Sequence, residues 1–367
     1  MSAQGRIAVG LSGGVDSAVA AALLLREGQE VLGLTMKIWS GALAVKEGGK
    51  HACYGPGEDE DIAACQRMCA RLGIEYRVVD LSAEYERRVL GYFREEYLRG
   101  RTPNPCVVCN RELKFGFLVD RAKEIGLGFG FFATGHYARI EEKEGVLRLR
   151  RALDPAKDQS YFLYSLGPSR LSTIRFPLGS LKKEEVRAEA RALGLEVADK
   201  AESQDFIAGG DMAPLFKDEP PLPGDFIDEG GRVIGKHRGL PYYTIGQRRG
   251  LGVSLGPDPL YVLRIEPETN RILLGPGEGL FVEGLKASDY LSYSPEPELK
   301  PFEAMAKIRH NHKAAPCLVE PGKDGTCRVL FKSPERAVAP GQSVVLYDEE
   351  GFVIGGAIIE EAIGNVG

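Results

Sequence analysis

The sequence has no apolar run long enough to cross a membrane. The longest near the start, Ala18 to Leu25, falls far short of the roughly 20 residues a span needs. No basic stretch followed by a small-residue cleavage site precedes it, so the expectation is a cytoplasmic chain with no membrane partner. Nor is there an excess of basic charge. Lys and Arg total 47 against 52 Asp and Glu, a formal net charge of −5, which excludes a wholly basic class and leaves any contact with nucleic acid to local patches. Internal repeats and low-complexity tracts are absent. With 43% apolar and 27% charged residues, disordered and collagen-like chains are excluded too. Seven cysteines in 367 residues, with no secretory signal, argue for free thiols, metal or catalysis before a disulfide framework.

Glycine is plentiful instead, at 46 residues, and promises tight turns or phosphate loops. From Arg6 to Gly73 the pattern reads strand, Gly-rich turn, helix, strand, then a second helix from Asp59 to Leu72 stopped by Gly73. Such βαβ spacing implies a parallel sheet. Phe131 to His136 fits a buried strand with polar residues at its C-terminal end, where open α/β sheets bind ligands. Glu84–Leu98, Arg111–Glu124 and Leu181–Leu193 read as helices. After about Gln204 short apolar alternations punctuated by Gly and Pro take over. The expected architecture is an α/β chain: a parallel-sheet domain over residues 1–205, a small β-rich central domain over 206–278 and a C-terminal β-barrel over 279–367.

Ser12-Gly-Gly-Val-Asp-Ser17 lies between the first strand and helix, so freed backbone N–H groups and the positive helix end would face an anion. The loop lacks the Gly-x-x-x-x-Gly-Lys-Ser/Thr pattern and its lysine, so it is not the loop of γ-phosphate transfer. The plain alternative is a turn with Asp16 or Ser17 as N-cap. The hexapeptide resembles the PP-loop of ATP pyrophosphatases. With Met36-Lys-Ile-Trp39, Thr102-Pro-Asn-Pro-Cys106-Val-Val-Cys109-Asn-Arg-Glu-Leu-Lys-Phe115, Ala133-Thr-Gly-His-Tyr-Ala-Arg139, Lys157-Asp-Gln-Ser-Tyr-Phe-Leu163 and Gly239 to Gly250, nearly the whole chain resembles the bacterial tRNA 2-thiouridylase family, MnmA.

That resemblance implies ATP-dependent adenylation of the C2 oxygen of wobble uridine 34 in tRNA, followed by sulfur transfer, with Mg²⁺ and a sulfur-donor protein or inorganic sulfide as further participants. ATP contacts would fall on Gly10, Leu11, Ser12, Gly13, Gly14, Val15, Asp16, Ser17, Met36 and Gly135, with the Asp16 and Ser17 side chains facing phosphate or Mg²⁺. Asn104, Pro105 and Cys106 would approach the target base. His136, Lys157, Asp158, Gln159, Ser160, Arg309, His310 and Gln342 match positions that contact tRNA, although the family more often has an aromatic where His310 stands. Read as residues alone, His136 could be a strand-end packing residue and Asp158-Gln159 a helix cap. The catalytic set would be Asp16, Cys106 and Cys109, with Cys109 at the nucleophile position and Cys106 where many members carry aspartate.

Cys106 and Cys109 form a Cys-x-x-Cys ahead of a helix expected to start near Asn110, where the helix end should lower thiol pKa values. Persulfide-using family members place another cysteine just after the Ser-Gln segment, but Glu202-Ser-Gln-Asp205 runs into Phe206, and no cysteine occurs from Asn110 to Pro316. Strand-end topology makes Cys53 the candidate third thiol. Three thiolates at Cys53, Cys106 and Cys109 would suit a [4Fe–4S] cluster with one open iron. A persulfide on Cys109, or zinc on these cysteines plus His51, are the rivals. Cys65 and Cys69 read as helix core, and Cys317 and Cys327 have no functional reading. Basic clusters stand at Arg148 with Arg150-Arg151, at Gln247-Arg248-Arg249 beside Tyr242-Tyr243, and at Lys307, Arg309 and Lys313. RNA phosphate contact or a solvated face would each account for them. The alternative functions are another PP-loop adenylating synthetase, or a non-catalytic tRNA-binding or iron–sulfur sensor protein.

Overall fold

Ile7-Ala-Val-Gly10 is apolar on both faces, as a strand covered on both sides must be, and it forms β1 (Ile7–Gly10), the centre of a five-stranded sheet. The computed structural model describes residues 5–43, 52–195, 205–207, 212–294 and 299–365. His51, Ser203, Gln204 and part of the Pro-rich stretch after Ser294 lie outside them. β1 pairs in parallel with β2 (Val31–Lys37) on one side and β5 (Phe131–Thr134) on the other. β4 (Glu75–Asp80) and β8 (Ile174–Arg175) extend the edges, giving the order β4-β2-β1-β5-β8. The chain runs outward from β1 through β2 to β4, then returns to β5, so the order reverses at β1. Open parallel sheets bind ligands beyond the carboxyl ends of strands at such a reversal.

Helix α1 (Val15–Arg26) is rich in alanine and buried along most of its length, because small side chains let it pack against both sheet and neighbouring helix. Its Val15, Ala18 and Val19 share a core cluster with Val186 and Ala190 of α5 (Lys183–Ala192). Helix α2 (Glu58–Leu72) opens with four acidic residues, favourable at a positive helix end, and stops at Gly73 with φ +67°, a left-handed conformation that glycine adopts cheaply. A short parallel pair, β3 (Ala52–Tyr54) with β9 (Asp205–Ile207), lies apart from the main sheet. β6 (Ala138–Lys143) and β7 (Val146–Arg151) form a hairpin that the sequence reading did not include. Between β4 and β5 the backbone is helical from Pro105: α3 (Pro105–Val108), a widened stretch over Cys109–Phe117, then α4 (Leu118–Glu124). The helix therefore begins ahead of Cys106, not at Asn110, with proline at the first helical position, where its missing N–H costs nothing.

The chain divides into two compact units. The parallel sheet belongs to Met1–Val89, Pro105–Pro214 and Gly351–Val353; the other comprises Leu90–Asn104, Leu215–Glu350 and Ile354–Gly367. In the second unit β10 (Gly224–Ile227), β11 (Val233–His237), β12 (Tyr261–Glu266) and β13 (Arg271–Gly275) make a sheet of order β11-β10-β13-β12. β14 (Phe281–Ser292), β15 (Phe302–Lys307), β16 (Ala315–Pro321), β17 (Cys327–Arg336), β18 (Ser343–Tyr347) and β19 (Val353–Asn365) close a six-stranded barrel. Closure removes the exposed edges of the sheet. Cys317 and Cys327 lie in the barrel core, 0% and 2% exposed, and burial pushes each thiol up to about 12. They are packing residues. The segment Leu90–Asn104 is anchored within this second unit: Arg101 reaches Glu96 at 2.7 Å and Glu360 at 2.5 Å. No helix among the described residues is long and apolar enough to cross a membrane.

Candidate active site

The Gly-rich turn leaves β1 at the sheet's reversal point and enters α1 through Gly14, which is extended at φ −99° and ψ 162° with no side chain capping the helix. The first-turn amides of a helix have no partner within it, so Val15, Asp16 and Ser17 direct their amides to the place where a phosphate would lie. Gly13 sits at φ +69°. A Cβ on it would come within 2.8 Å of Asp61, a carboxylate beside the loop that no local motif announces. The Gly13 amide donates to Cys65 Sγ at 3.1 Å, so Cys65, a core residue 2% exposed, also braces the loop. Ser17 is 5% exposed, and its hydroxyl accepts from the Ser12 amide at 3.2 Å and donates to the Gly14 carbonyl at 3.1 Å. The expectation that its side chain faces the ligand is therefore corrected: it ties the loop across itself. Gly135, just past β5, lies against the same turn, where a Cβ would stand 2.6 Å from backbone atoms of Asp16 and Ser17. Met36 is half-buried near the end of β2, beside Thr35, whose hydroxyl donates to the Leu11 carbonyl at 3.0 Å.

Asp16 has partners that the local sequence does not announce. Its carboxylate accepts from Lys183 Nζ at 2.8 Å on each oxygen and from the Tyr137 hydroxyl at 2.8 Å. Lys183 is 167 residues distant in sequence and opens α5. The lysine missing from the loop's own sequence is thus supplied by another helix.

Cys53, Cys106 and Cys109 lie within each other's electrostatic reach, and Tyr85, stacked on Tyr54 with centroids 5.3 Å apart, feels all three. Cys53 and Cys106 are exposed and Cys109 partly so. Protein nevertheless hems the two sulfurs of the pair on their other sides. That desolvation pushes Cys106 up to about 12 and Cys109 up to about 11; Cys53 adds to both shifts and the Lys114 ammonium opposes them. The lowering expected from the helix end is overturned, because desolvation disfavours a thiolate more than one helix terminus favours it. The β3–β9 register sets Ala52 against Asp205 and Tyr54 against Ile207, with Cys53 opposite Phe206. The segment that lacks the expected cysteine thus lies beside one. Among the described residues, however, no three His, Cys, Asp or Glu side chains stand close enough to hold a metal ion. The sulfurs as they stand do not fit a cluster, and His51 of the zinc alternative lies outside the described residues.

Many residues carried over as tRNA contacts turn inward. Asp158 is 5% exposed and accepts from the Ala152 amide at 3.1 Å, the Ser160 amide at 3.2 Å and the Ser160 hydroxyl at 3.0 Å; Ser160 itself is 0% exposed. Gln159 accepts from the Tyr137 amide at 2.9 Å. Neither side chain caps the helix Ser160–Leu163, whose N-cap position is Gln159 without a side-chain cap; the Asp158 carboxylate turns inward because it satisfies several neighbouring amides at once. His136 Nδ1 lies 2.7 Å from the Thr134 hydroxyl, between Phe115 and Phe176. Burial, then Lys114, holds its imidazole well below the ordinary range, so it is neutral at pH 7. Lys157 is half-buried.

In the second unit, Asn104 is buried and its amide donates to the Tyr92 hydroxyl at 3.2 Å. Gln342 donates to the carbonyls of Thr102 and Pro103 at 3.1 and 3.0 Å. It clamps the irregular segment that precedes Pro105 instead of facing outward. Arg309 donates to the Arg336 carbonyl at 3.0 Å, and His310 is half-buried. Gln247 bonds within its own turn, while Arg248 and Arg249 are exposed. Tyr243 is core, and Tyr242 lies under Arg238 at 4.2 Å. The Arg148 and Arg150 charges of the first unit are paired with Glu144 and Glu141 along the hairpin.

Comparison with known proteins agrees with this layout. A tRNA methyl transferase HUP domain model matches residues 5–208, a tRNA methyl transferase PRC-barrel domain residues 215–276, and an aminomethyltransferase beta-barrel domain residues 282–359. The tRNA-specific 2-thiouridylase MnmA of Carboxydothermus hydrogenoformans is 46% identical over 96% of this chain and 97% of its own length. Those of Endomicrobium trichonymphae and Roseiflexus are 44% and 43% identical over 98% and 97% of this chain, each covered in full. A solved 4-thiouridine synthetase–RNA complex with bound ATP is 18% identical, with TM-score 0.36 over 56% of this chain and 46% of that one, a likeness too slight to carry an argument. The chain belongs to the MnmA family of tRNA-specific 2-thiouridylases.

Proposed function

We propose that this enzyme is a tRNA-uridine 2-sulfurtransferase that adenylates the C2 oxygen of wobble uridine 34 and replaces that oxygen with sulfur, acting in the cytoplasm where ATP and tRNA meet. The carrying observation is the uncapped first turn of α1 at the sheet's reversal point, joined to the full-length likeness to 2-thiouridylases. A uracil C2 carbonyl has a poor leaving oxygen. The turn's amides orient ATP so that this oxygen attacks the α-phosphorus; the new O–P bond forms as the bond to the β-phosphate oxygen breaks, and pyrophosphate departs with that electron pair. Sulfur then adds at C2, and AMP leaves carrying the former carbonyl oxygen.

Mg²⁺ suits a site of one or two carboxylates plus phosphates. Asp16, with Asp61 beside Gly13, is the residue that would hold it, and there it would offset charge on the departing pyrophosphate. Cys109 is the nucleophile: it takes a persulfide sulfur from a donor protein's persulfide, and the outer sulfur attacks C2 as AMP leaves. The Cys53 thiol then attacks Cys109 Sγ, breaking the S–S bond to release 2-thiouridine and leaving a Cys53–Cys109 disulfide for an external dithiol to reduce. A [4Fe–4S] cluster on Cys53, Cys106 and Cys109 matches the all-thiol donor set in chemistry but not in the placement of the sulfurs. Exposed Arg248 and Arg249 supply phosphate contacts to tRNA, and the sulfur comes either from a persulfide-bearing donor protein through Cys109 or from sulfide attacking the adenylated C2 directly, with no change of oxidation state. The test is AMP release with and without tRNA: turnover only with tRNA supports the reading. Release dependent on an amino acid would reveal an adenylating synthetase, and no turnover a non-catalytic binder.

A further inference from the structure

We infer that Lys114 forms a subsite for anionic sulfur, a hydrosulfide ion or the outer sulfur of a persulfide, and holds it at the thiol group while it attacks the activated uridine. This deepens the sulfur-transfer reading above and rests on it. The placement begins with the backbone. Cys109–Phe117 is the widened helical stretch, whose hydrogen bonds run from residue i to i+5, so that Lys114 stands one turn along from Cys109 and over it. In an ordinary helix of 3.6 residues per turn the fifth residue along would point about 140° away. Leu113 and Phe115, on either side of Lys114, are 0% and 6% exposed, and Lys114 between them is half-buried. Phe115 packs against His136 with ring centroids 6.0 Å apart. The Lys114 ammonium acts on Cys106, Cys109 and His136 together.

Nothing around it supplies a compensating charge. Burial keeps Cys106 and Cys109 as thiols and His136 as a neutral imidazole at pH 7. The Tyr85 phenol, 1% exposed, is pushed well above its ordinary range by the same cause. Glu112, two residues before the lysine, is bonded to Arg111 at 2.9 Å and lies 4.0 Å from Arg88. Among the described residues Lys114 takes part in no ion pair. A half-buried cation without a counter-ion has given up hydration and recovered little for it, and such a fixed charge stabilises an anion that arrives beside it. The groups it faces are the thiols and not the nucleotide loop, so the anion it suits is sulfur. Attack forms the C–S bond from the sulfur's own electron pair while AMP departs with the pair of the C–O bond; with hydrosulfide, the remaining S–H proton passes to water. Lys114 makes and breaks no bond. It gathers and orients the nucleophile.

The experiment alkylates the full-length, nucleotide-free enzyme in parallel with iodoacetamide, which is neutral, and iodoacetate, which is an anion, and follows Cys109 by peptide mass spectrometry. Both reagents consume the same thiolate, so the ratio of their rates cancels its population and reads the charge that the incoming anion meets. Lys114→Met should lower the iodoacetate-to-iodoacetamide ratio about fivefold, the effect of one unit charge about 4 Å away in water. Added salt should shrink the wild-type ratio and leave that of Lys114→Met in place. Lys114→Arg, which keeps the charge, should restore the ratio to within about twofold. In turnover with sulfide, Lys114→Met should raise KM for sulfide about fivefold while KM for ATP stays within about twofold; with glutathione persulfide as donor it should lower kcat by a similar factor. Loss in either arm supports the inference and tells which sulfur source the lysine serves. An unchanged alkylation ratio in folded Lys114→Met, loss in neither arm, or a rise in KM for ATP that matches the rise for sulfide overturns it. A wild type that releases no AMP with tRNA would instead overturn the adenylation reading, and the alkylation ratio would still report on Lys114.

Discussion

Gly135→Ala tests how the strand end shapes the nucleotide loop. Its added Cβ would meet the backbone of Asp16 and Ser17 at 2.6 Å, whereas ordinary contact starts at 3.4 Å, so the opening of α1 must retreat by roughly 0.8 Å. Backbone cannot swing aside as a side-chain tip can, and such overpacking costs about 1–3 kcal/mol. For a unit of some 150–250 residues, 2 kcal/mol corresponds to a melting shift of about 4–8 °C. The same displacement misaligns the first-turn amides, so KM for ATP should rise along with the loss of stability. Gly57→Ala is the control: it has an ordinary φ of −72° and nothing within 4 Å of the added carbon, so melting and KM should stay at wild-type values. Differential scanning calorimetry and AMP-release kinetics read both effects. A Gly135→Ala protein that melts and binds ATP like the wild type would refute the contact between strand end and loop.

Asp158→Ala strips three hydrogen bonds from a buried carboxylate and should destabilise the first unit by about 2–3 kcal/mol, while folded protein keeps its tRNA affinity; selective loss of affinity without a melting change would restore Asp158 as an RNA contact. With Cys109 and Cys106 pushed up to about 11 and about 12, both thiols are neutral at pH 7, and iodoacetamide labelling of the nucleotide-free enzyme should climb about tenfold per unit toward about pH 10; a plateau by about pH 8 would contradict that. Arg248→Ala should weaken tRNA binding and flatten the slope of log affinity against log salt by about one if it neutralises one phosphate, and an unchanged slope makes it structural. Cys53→Ser, Cys106→Ser and Cys109→Ser should each lose thiolation, whereas Cys65→Ser, which keeps an acceptor for Gly13, and Cys317→Ser should retain most of it. Full activity in Cys53→Ser would remove the third thiol from the account.

What the sequence disclosed is what is local. The loop from Ser12 to Ser17 and the strand before it announce themselves within a dozen residues, and strand-end topology alone led from Cys106 and Cys109 to Cys53. Barrel closure was legible only as a class, because it depends on β14 pairing with β19 across some seventy residues of chain and no short pattern encodes that partner. Lys183 was invisible as a partner of Asp16: Lys182-Lys-Glu-Glu-Val186 reads as an ordinary helix start. The inward turn of Asp158 and Ser160 was ambiguous for a physical reason, since the residue types that cap a helix are those that bind RNA. Gln342 misled likewise, an amide being equally suited to a base edge and to the carbonyls of Thr102 and Pro103.

The central claim, that ATP activates the uridine C2 oxygen, has a direct measurement in the fate of that oxygen. A tRNA anticodon stem-loop bearing oxygen-18 at C2 of the wobble uridine is incubated with the enzyme, ATP and sulfide under anaerobic conditions, and the products are weighed by mass spectrometry. Adenylation requires the label to appear in the phosphate of AMP, one atom for each 2-thiouridine formed, with none in pyrophosphate. Label released to water, or 2-thiouridine formed alongside unlabelled AMP, would contradict the account.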